Sequence, residues 1–334
     1  MAMRDQRITN HLDGIRGLAA IIVIAGHASN FGMPIIPGVD LTATAKAGVW
    51  LFFMLSAYLL TDRLRNDLSS ADAVNLLRAF ILKRIFRIIP LYAIVLACAA
   101  WAGWLSWEDS FAHLFMADGK HHFWTIPVEM MFYALLPIIL SVVRTRNGIY
   151  IFAAISLAIS IAAGPGKIAE NTLSFSPFLV FFAAGMALSV TPKINVSGPA
   201  ATAICTLSLA MLVFVSPRFI SWYFNSTINE ALSAAYLHIL PWAVVILFSG
   251  HSSLFFRLFS SSFMRFCGSI SFALYLVHYP IMDAASGMGY SIYPAAGVAL
   301  LMISGSLSWF LHRLIEIPFI SIGKRIAGAA RNNL

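Results

Sequence analysis

Asp13, Arg16 and His27 are ionisable residues inside an otherwise apolar stretch, LDGIRGLAAIIVIAGH, covering residues 12–27. Successive residues of an α-helix are rotated by about 100°, so the path from Arg16 to His27 closes to within about 20°. Asp13 falls about 60° from Arg16 and about 40° from His27, and the three share one narrow stripe. A guanidinium on such a stripe suits an anion. An imidazole, with an unperturbed pKa of about 6.5, suits proton transfer at neutral pH. At about 1.5 Å per residue, Arg16 lies about 6 Å and His27 about 22 Å beyond Leu12. A long ligand held by its charged end at Arg16 would offer its far end to His27. The plainer alternative is a structural Asp13–Arg16 pair beside a hydrogen-bonded histidine.

Three further clusters can join that stripe. In LKRIFRIIP, residues 82–90, Arg84 and Arg87 share a face at i,i+3, and Lys83 neighbours Arg87 at i,i+4. Guanidinium forks bind phosphates through paired hydrogen bonds, so with Arg16 these residues could grip a phosphorylated ligand. An ordinary basic anchor at a helix end is the alternative. In HHFWTIPVEMMFY, residues 121–133, Thr125 stands where an N-cap would, Pro127 fits a first turn, and Glu129 stacks on Tyr133 at i,i+4. A carboxylate so near a span needs a partner, and His27 or His278 lies at a compatible depth. A capping role at the positive helix end is the alternative. In SISFALYLVHYP, residues 269–280, Ser271, Tyr275 and His278 fall within about 60° of one another.

The remaining polar residues have blander readings. The adjacent His121 and His122 read as solvated loop residues, so no metal site is assigned. Ser56 and Tyr58 in GVWLFFMLSAYLL read as core, and RLIEIPFI offers a structural Arg313–Glu316 pair at i,i+3. No Walker loop, GxSxG elbow, HExxH pair or GxGxxG turn appears in a supporting context, which argues against nucleotide hydrolases, serine hydrolases and metalloproteases. Cys98, Cys205 and Cys267 lie far apart in apolar runs without a Cys-x-x-Cys pair, so they read as buried, inert thiols.

Apolar helices must position these residues. Of 334 residues 60% are hydrophobic and only 11% charged, with mean hydropathy +0.82. A soluble domain is about half apolar and about a quarter charged, so the chain is an integral membrane protein. A helix needs about 20 residues to cross a hydrocarbon core of about 30 Å. Apolar runs near 12–32, 46–61, 85–105, 125–143, 149–164, 173–190, 199–216, 232–249, 267–287 and 293–314 predict about ten transmembrane helices. The expected fold is an all-α, polytopic, single membrane domain over residues 1–334, without internal repeats or a soluble appendage. An even span number puts both termini on one side. With that side cytoplasmic, only Lys46, Lys120, Lys167 and Arg218 of the 22 lysines and arginines fall in outer loops. The formal charge of +8 is then a topology signal, not a nucleic-acid footprint. Gly14, Gly17, Ala19, Ala20 and Gly26 would let neighbouring helices approach closely.

Taken in order, these motifs resemble those of the bacterial membrane acyltransferase family three. Its opening Arg-x10-His span is matched by Asp13, Arg16 and His27, and its LFFVLSGFL-like span by LFFMLSAYLL. Its basic KRxxRIxP segment is matched by Lys83, Arg84, Arg87 and Pro90. Trp124, Thr125, Glu129, Phe132 and Tyr133 follow, then Ser271, Leu274, Tyr275, His278 and Pro280, and Glu316 with Pro318 closes the series. Trp50 stands where an acidic residue is often found, Ala57 for a glycine and Met130 for a second glutamate. The resemblance implies ten spans in the bacterial inner membrane and acyl transfer, usually of acetyl, from cytoplasmic acyl-CoA to a hydroxyl of a cell-surface or lipid-linked carbohydrate. It implies that Arg16 and His27 are essential. No extra periplasmic hydrolase-like domain is expected, so the membrane domain would handle the acceptor alone.

Such transfer needs a base for the hydroxyl proton and stabilisation of an oxyanion. The expected base is His27, oriented by Glu129 or Asp13, with depth favouring Glu129. Arg16, Lys83, Arg84 and Arg87 are expected to hold the phosphates of coenzyme A, which is a substrate and not a resident cofactor. Trp124, Tyr133, Ser271, Tyr275 and His278 are expected around the acceptor or the oxyanion. A covalent acyl-histidine is the mechanistic rival, and a secondary transporter or flippase using the same stripe is the rival function.

Overall fold

The computed structural model describes residues 2–68, 73–168, 170–228, 230, 234–290 and 295–332; within them no strand occurs. The first helices are α1 (Ala2–Asn30), α2 (Ala45–Leu68), α3 (Ala73–Trp101), α4 (Trp107–Leu114) and α5 (Thr125–Val142). Then come α6 (Arg146–Ala162), α7 (Leu179–Val190), α8 (Gly198–Phe214), α9 (Pro217–Phe224) and α10 (Ile239–Phe248). The last are α11 (Ser253–Phe259), α12 (Ser262–Ser269), α13 (Ser271–Gly287), α14 (Ala296–Leu311) and α15 (Ile317–Asn332).

Each of the ten expected apolar runs contains helix, although the expected starts at 232 and 293 lie outside the described residues. Fewer qualify as spans. Among the described residues, four stretches are long and apolar enough to cross a bilayer: 10–30, 45–65, 125–142 and 296–328. The count reaches six if two bent pairs are each taken as one span. The α8–α9 pair bends by 56° where Pro217 starts a new helix, and the pair formed by 235–248 and 253–259 bends by 95°. The apolar runs at 149–164 and 173–190 form helices of 17 and 12 residues, short of a full crossing. The run expected at 267–287 is divided at Ile270, between α12 and α13. At the other extreme, α14 continues through a π-helical turn, His312–Glu316, into α15.

The first helix is central, packing on α2, α11, α12 and α13. Its glycines permit this. A Cβ on Gly14 would collide with the Phe259 carbonyl oxygen, and one on Gly17 with that of Met264. Behind α2 the core is aromatic: Trp50 stacks on Phe181 at 5.3 Å and Phe53 on Phe182 at 4.5 Å between centroids. Trp50 is fully buried, and its ring faces this core together with His238. Large apolar side chains such as Val142, Leu207 and Met302 stand open on the outer surface, a pattern that suits lipid as the surrounding solvent. Cys205 and Cys267 are buried, whereas Cys98 lies on that outer surface, because its apolar run faces outward at this position.

Candidate active site

The inner edge of α1 borders two cavities. The first, of about 190 Å³, is lined by Asp13 and Arg16 from α1, Arg84 and Arg87 from α3, and Glu129 and Tyr133 from α5. The Arg16 guanidinium is 4.0 Å from Asp13, too far for a tight pair, and both are partly open to the cavity. The Arg84 guanidinium sits 5.7 Å from the centre of the Tyr133 ring, and its Nε is buried with no hydrogen-bond partner among the described residues. Guanidiniums from α1 and α3 thus border one cavity, one of them incompletely bonded, a donor set whose chemistry suits a phosphate-bearing anion.

The second cavity, of about 320 Å³, is lined by His27 together with Lys46, His121, His122, Trp124 and Tyr279. The 115–124 connection forms part of its wall. It is tied down by Lys120 on Asp109 at 2.5 Å and by Asn171 Nδ2 donating to the His121 carbonyl at 2.7 Å. His121 adopts a left-handed backbone with φ 54°, which sends the two adjacent histidines different ways. His121 is exposed, while His122 is 2% exposed and packs on Tyr279. The expectation of a solvated pair is thus corrected for His122. Burial, with His278 and His27 alongside, pushes its imidazole well below its ordinary range.

Val49 and Tyr275 line both cavities and form the partition between them. The Tyr275 hydroxyl donates to the His122 carbonyl and accepts from Thr125 Oγ1 at 2.8 Å. Thr125 is the first residue of α5 and not its cap: Trp124 holds that position without a side-chain bond, and the threonine hydroxyl is spent on Tyr275.

The remaining expected residues divide between these places. Glu129 does not orient His27. It accepts from Ser56 at 2.9 Å and from Tyr133, both on the arginine side, because α5 turns its i,i+4 face toward α2. Ser56 therefore borders a cavity and does not merely fill the core. His278 supplies the contact to His27, its Nε2 lying 2.8 Å from His27 Nδ1. It is fully buried and lines neither of these two cavities. Ser271 lines the arginine cavity, with its hydroxyl turned to the Gly268 carbonyl at 2.8 Å, and Trp124 lines the His27 cavity. Lys83 is exposed and borders neither. Glu316 pairs with His312 at 2.8 Å and not with Arg313, because the π turn widens the helix and leaves Arg313 outside.

Several residues of the two cavities escape the sequence patterns above. Arg63 lines the arginine cavity, and its seven-residue spacing from Ser56, about 20° on a helical wheel, is a usable signal. Lys46, Asn171 and Tyr279 line the His27 cavity only because distant segments converge there.

Comparison with known proteins bears on the chemistry of the site. The chain is 26% identical to an O-acetyltransferase OatA of Staphylococcus aureus (strain NCTC 8325 / PS 47), covering 95% of the chain and 58% of that protein. It is 23% identical to a peptidoglycan O-acetyltransferase OatA of Listeria monocytogenes serovar 1/2a, covering 92% of the chain and 55% of the relative. The chain thus spans little more than half the length of these curated relatives. No solved structure matches it. The family model described as an acyltransferase domain matches residues 10–313, nearly the whole length and both cavities, and the chain belongs to that acyltransferase family.

Proposed function

We propose that the chain is a membrane O-acyltransferase that moves an acyl group, acetyl foremost, from cytoplasmic acyl-coenzyme A to a hydroxyl of a cell-surface or lipid-linked carbohydrate in the bacterial inner membrane. The observation that carries this reading is that an arginine-lined cavity and a histidine-lined cavity back onto the same two residues, Val49 and Tyr275. Arg16, Arg84 and Arg87 suit the donor's phosphates, and the distribution of lysine and arginine supports a cytoplasmic side for them. The pantetheine arm then runs along the edge of α1, a rise of about 16 Å from Arg16 to His27. The thioester arrives at the Val49–Tyr275 partition, and the acceptor occupies the His27 cavity, where Trp124 and Tyr279 offer aromatic faces to a sugar.

His27 takes the proton of the acceptor hydroxyl as the oxygen attacks the thioester carbonyl carbon. The new carbon–oxygen bond forms, the carbon–sulfur bond breaks, and the proton passes from His27 to the departing thiolate. General-base assistance of this kind contributes about 10²–10⁴-fold in rate.

Purified protein in lipid vesicles, given labelled acetyl-coenzyme A and a panel of glycans headed by peptidoglycan fragments, tests the reading. Coenzyme A release that depends on acceptor, with label in the glycan, is the expected result. Label held on the protein before acceptor is added would instead mean an acyl-histidine intermediate. Transport of unmodified solute without acyl transfer would overturn the reading in favour of a transporter.

A further inference from the structure

Three imidazoles meet where α1, α13 and the 115–124 connection converge, and backbone carbonyls decide where their protons sit. A carbonyl oxygen only accepts hydrogen bonds. His278 Nδ1 lies 2.9 Å from the Leu274 carbonyl oxygen one turn back on its own helix, so Nδ1 carries the proton and Nε2 the lone pair. That Nε2 is the atom 2.8 Å from His27 Nδ1. His27 therefore donates from Nδ1, and its own Nε2 keeps the lone pair. The two rings are stacked, with centroids 5.1 Å apart and planes 20° from parallel.

A proline secures the other side of the cluster. Pro280 interrupts the hydrogen-bond ladder of α13, since it has no N–H for the Leu276 carbonyl four residues back. His122 Nε2 fills that vacancy at 3.2 Å, which holds its ring 5.3 Å from that of His278. The groups facing His278 are thus His27 on α1, His122 on the connection, and Tyr275 and Tyr279 on its own helix. Lys46 on α2 and His121 border the same cavity as His27.

The geometry points to His278 as the positioning residue for the transfer: it locks His27 in the tautomer whose Nε2 is the base, without itself touching substrate. This rests on His27 being the base of the proposed reaction. As His27 takes up the acceptor's proton, its bond to His278 becomes charge-assisted and stronger. A neutral imidazole supplies this support without burying a second full charge in an apolar bundle, which a carboxylate would do.

The test compares His278→Ala and His278→Gln in acceptor-dependent turnover. The alanine variant is expected to lower kcat about ten- to hundredfold, the scale set by a hydrogen bond to a charged group, with the donor KM little changed. The acid limb of its pH profile moves to lower pH, because the imidazolium of His27 has lost its acceptor. The amide oxygen of the glutamine variant can take the His27 Nδ1 proton, so it restores part of kcat and returns the limb toward its original place. Should the alanine variant lack a folded melting transition, the pH profile of the glutamine variant decides alone. Full activity in both variants, or a raised donor KM with an unmoved pH profile, overturns the inference. An inactive His27→Ala beside a fully active His278→Ala removes only the positioning role. An active His27→Ala removes the base and this inference together.

Discussion

Ser56 donates a hydrogen bond to Glu129 at 2.9 Å, and that bond keeps the carboxylate on the arginine side of the bundle. Tyr133, one turn along α5, adds a second hydroxyl. Held this way, Glu129 shares the cavity of Arg16, Arg84 and Arg87 and not that of His27. Glu129→Gln is expected to change the donor KM while leaving the acid limb of the pH–turnover profile in place. Ser56→Ala, which strips one bond from a part-buried carboxylate, costs about 1–3 kcal/mol of stability, read from unfolding in detergent. A displaced acid limb in Glu129→Gln would return the residue to His27.

The arginines divide from their lysine neighbour. Arg84 and Arg87 line the cavity and Lys83 does not. Arg84→Gln and Arg87→Gln are expected to raise the apparent acetyl-coenzyme A requirement about tenfold or more, the size of a lost charge-assisted bond. Lys83→Gln leaves it within about twofold. Initial-rate titrations of donor check this, and equal effects in all three would reduce the cluster to a membrane anchor.

His27→Ala removes the proposed base at its only contact with the transfer chemistry. Turnover falls by about 10²–10⁴-fold and membrane insertion is retained, while stability drops by only about 1–3 kcal/mol because the buried His278 Nε2 loses its partner. Label transfer and thermal unfolding, measured on one preparation, separate loss of chemistry from loss of fold.

The Tyr275 partition makes a coupling prediction. Tyr275→Ala opens a path between the cavities, so water reaches the thioester and coenzyme A release without acceptor rises. Tyr275→Phe keeps the ring but loses the bonds to Thr125 and the His122 carbonyl, a cost of about 0.5–1.5 kcal/mol each. The ratio of acceptor-free to acceptor-dependent release is the measurement, and an unchanged ratio in Tyr275→Ala would rule out a partition there.

Helix contacts are tested by two glycines. Gly14→Ala forces α1 off the Phe259 carbonyl, with an expected destabilisation of about 1–3 kcal/mol or more. Gly305→Ala meets nothing within 4 Å and is expected to be neutral or slightly stabilising, since alanine is the better helix former. Melting curves of both variants in one detergent provide the comparison.

Short-range periodicity is legible in the amino-acid sequence. It places Arg16 and His27 on one edge of one helix, Arg84 with Arg87, and Glu129 with Tyr133, because a helical wheel depends only on residues a few turns apart. The small residues of α1 likewise point to close packing, and the apolar composition points to a membrane protein. Partners across helices are not legible in this way. Glu129 and His278 each have a credible claim on His27, since depth along a span ranks candidates without saying how each helix is rotated about its axis.

Tertiary structure settles that rotation. It turns α5 so that Glu129 meets Ser56, and it turns α13 so that His278 meets His27. It also breaks an apolar run at Ile270, replaces the expected Arg313–Glu316 pair by His312–Glu316 at a π turn, and draws His122 inward onto the carbonyl that Pro280 leaves unbonded. Sequence by itself determined which face of each helix is polar, a property of local geometry. Which faces meet, and so which histidine aims the other, follows from packing among helices as far as 251 residues apart.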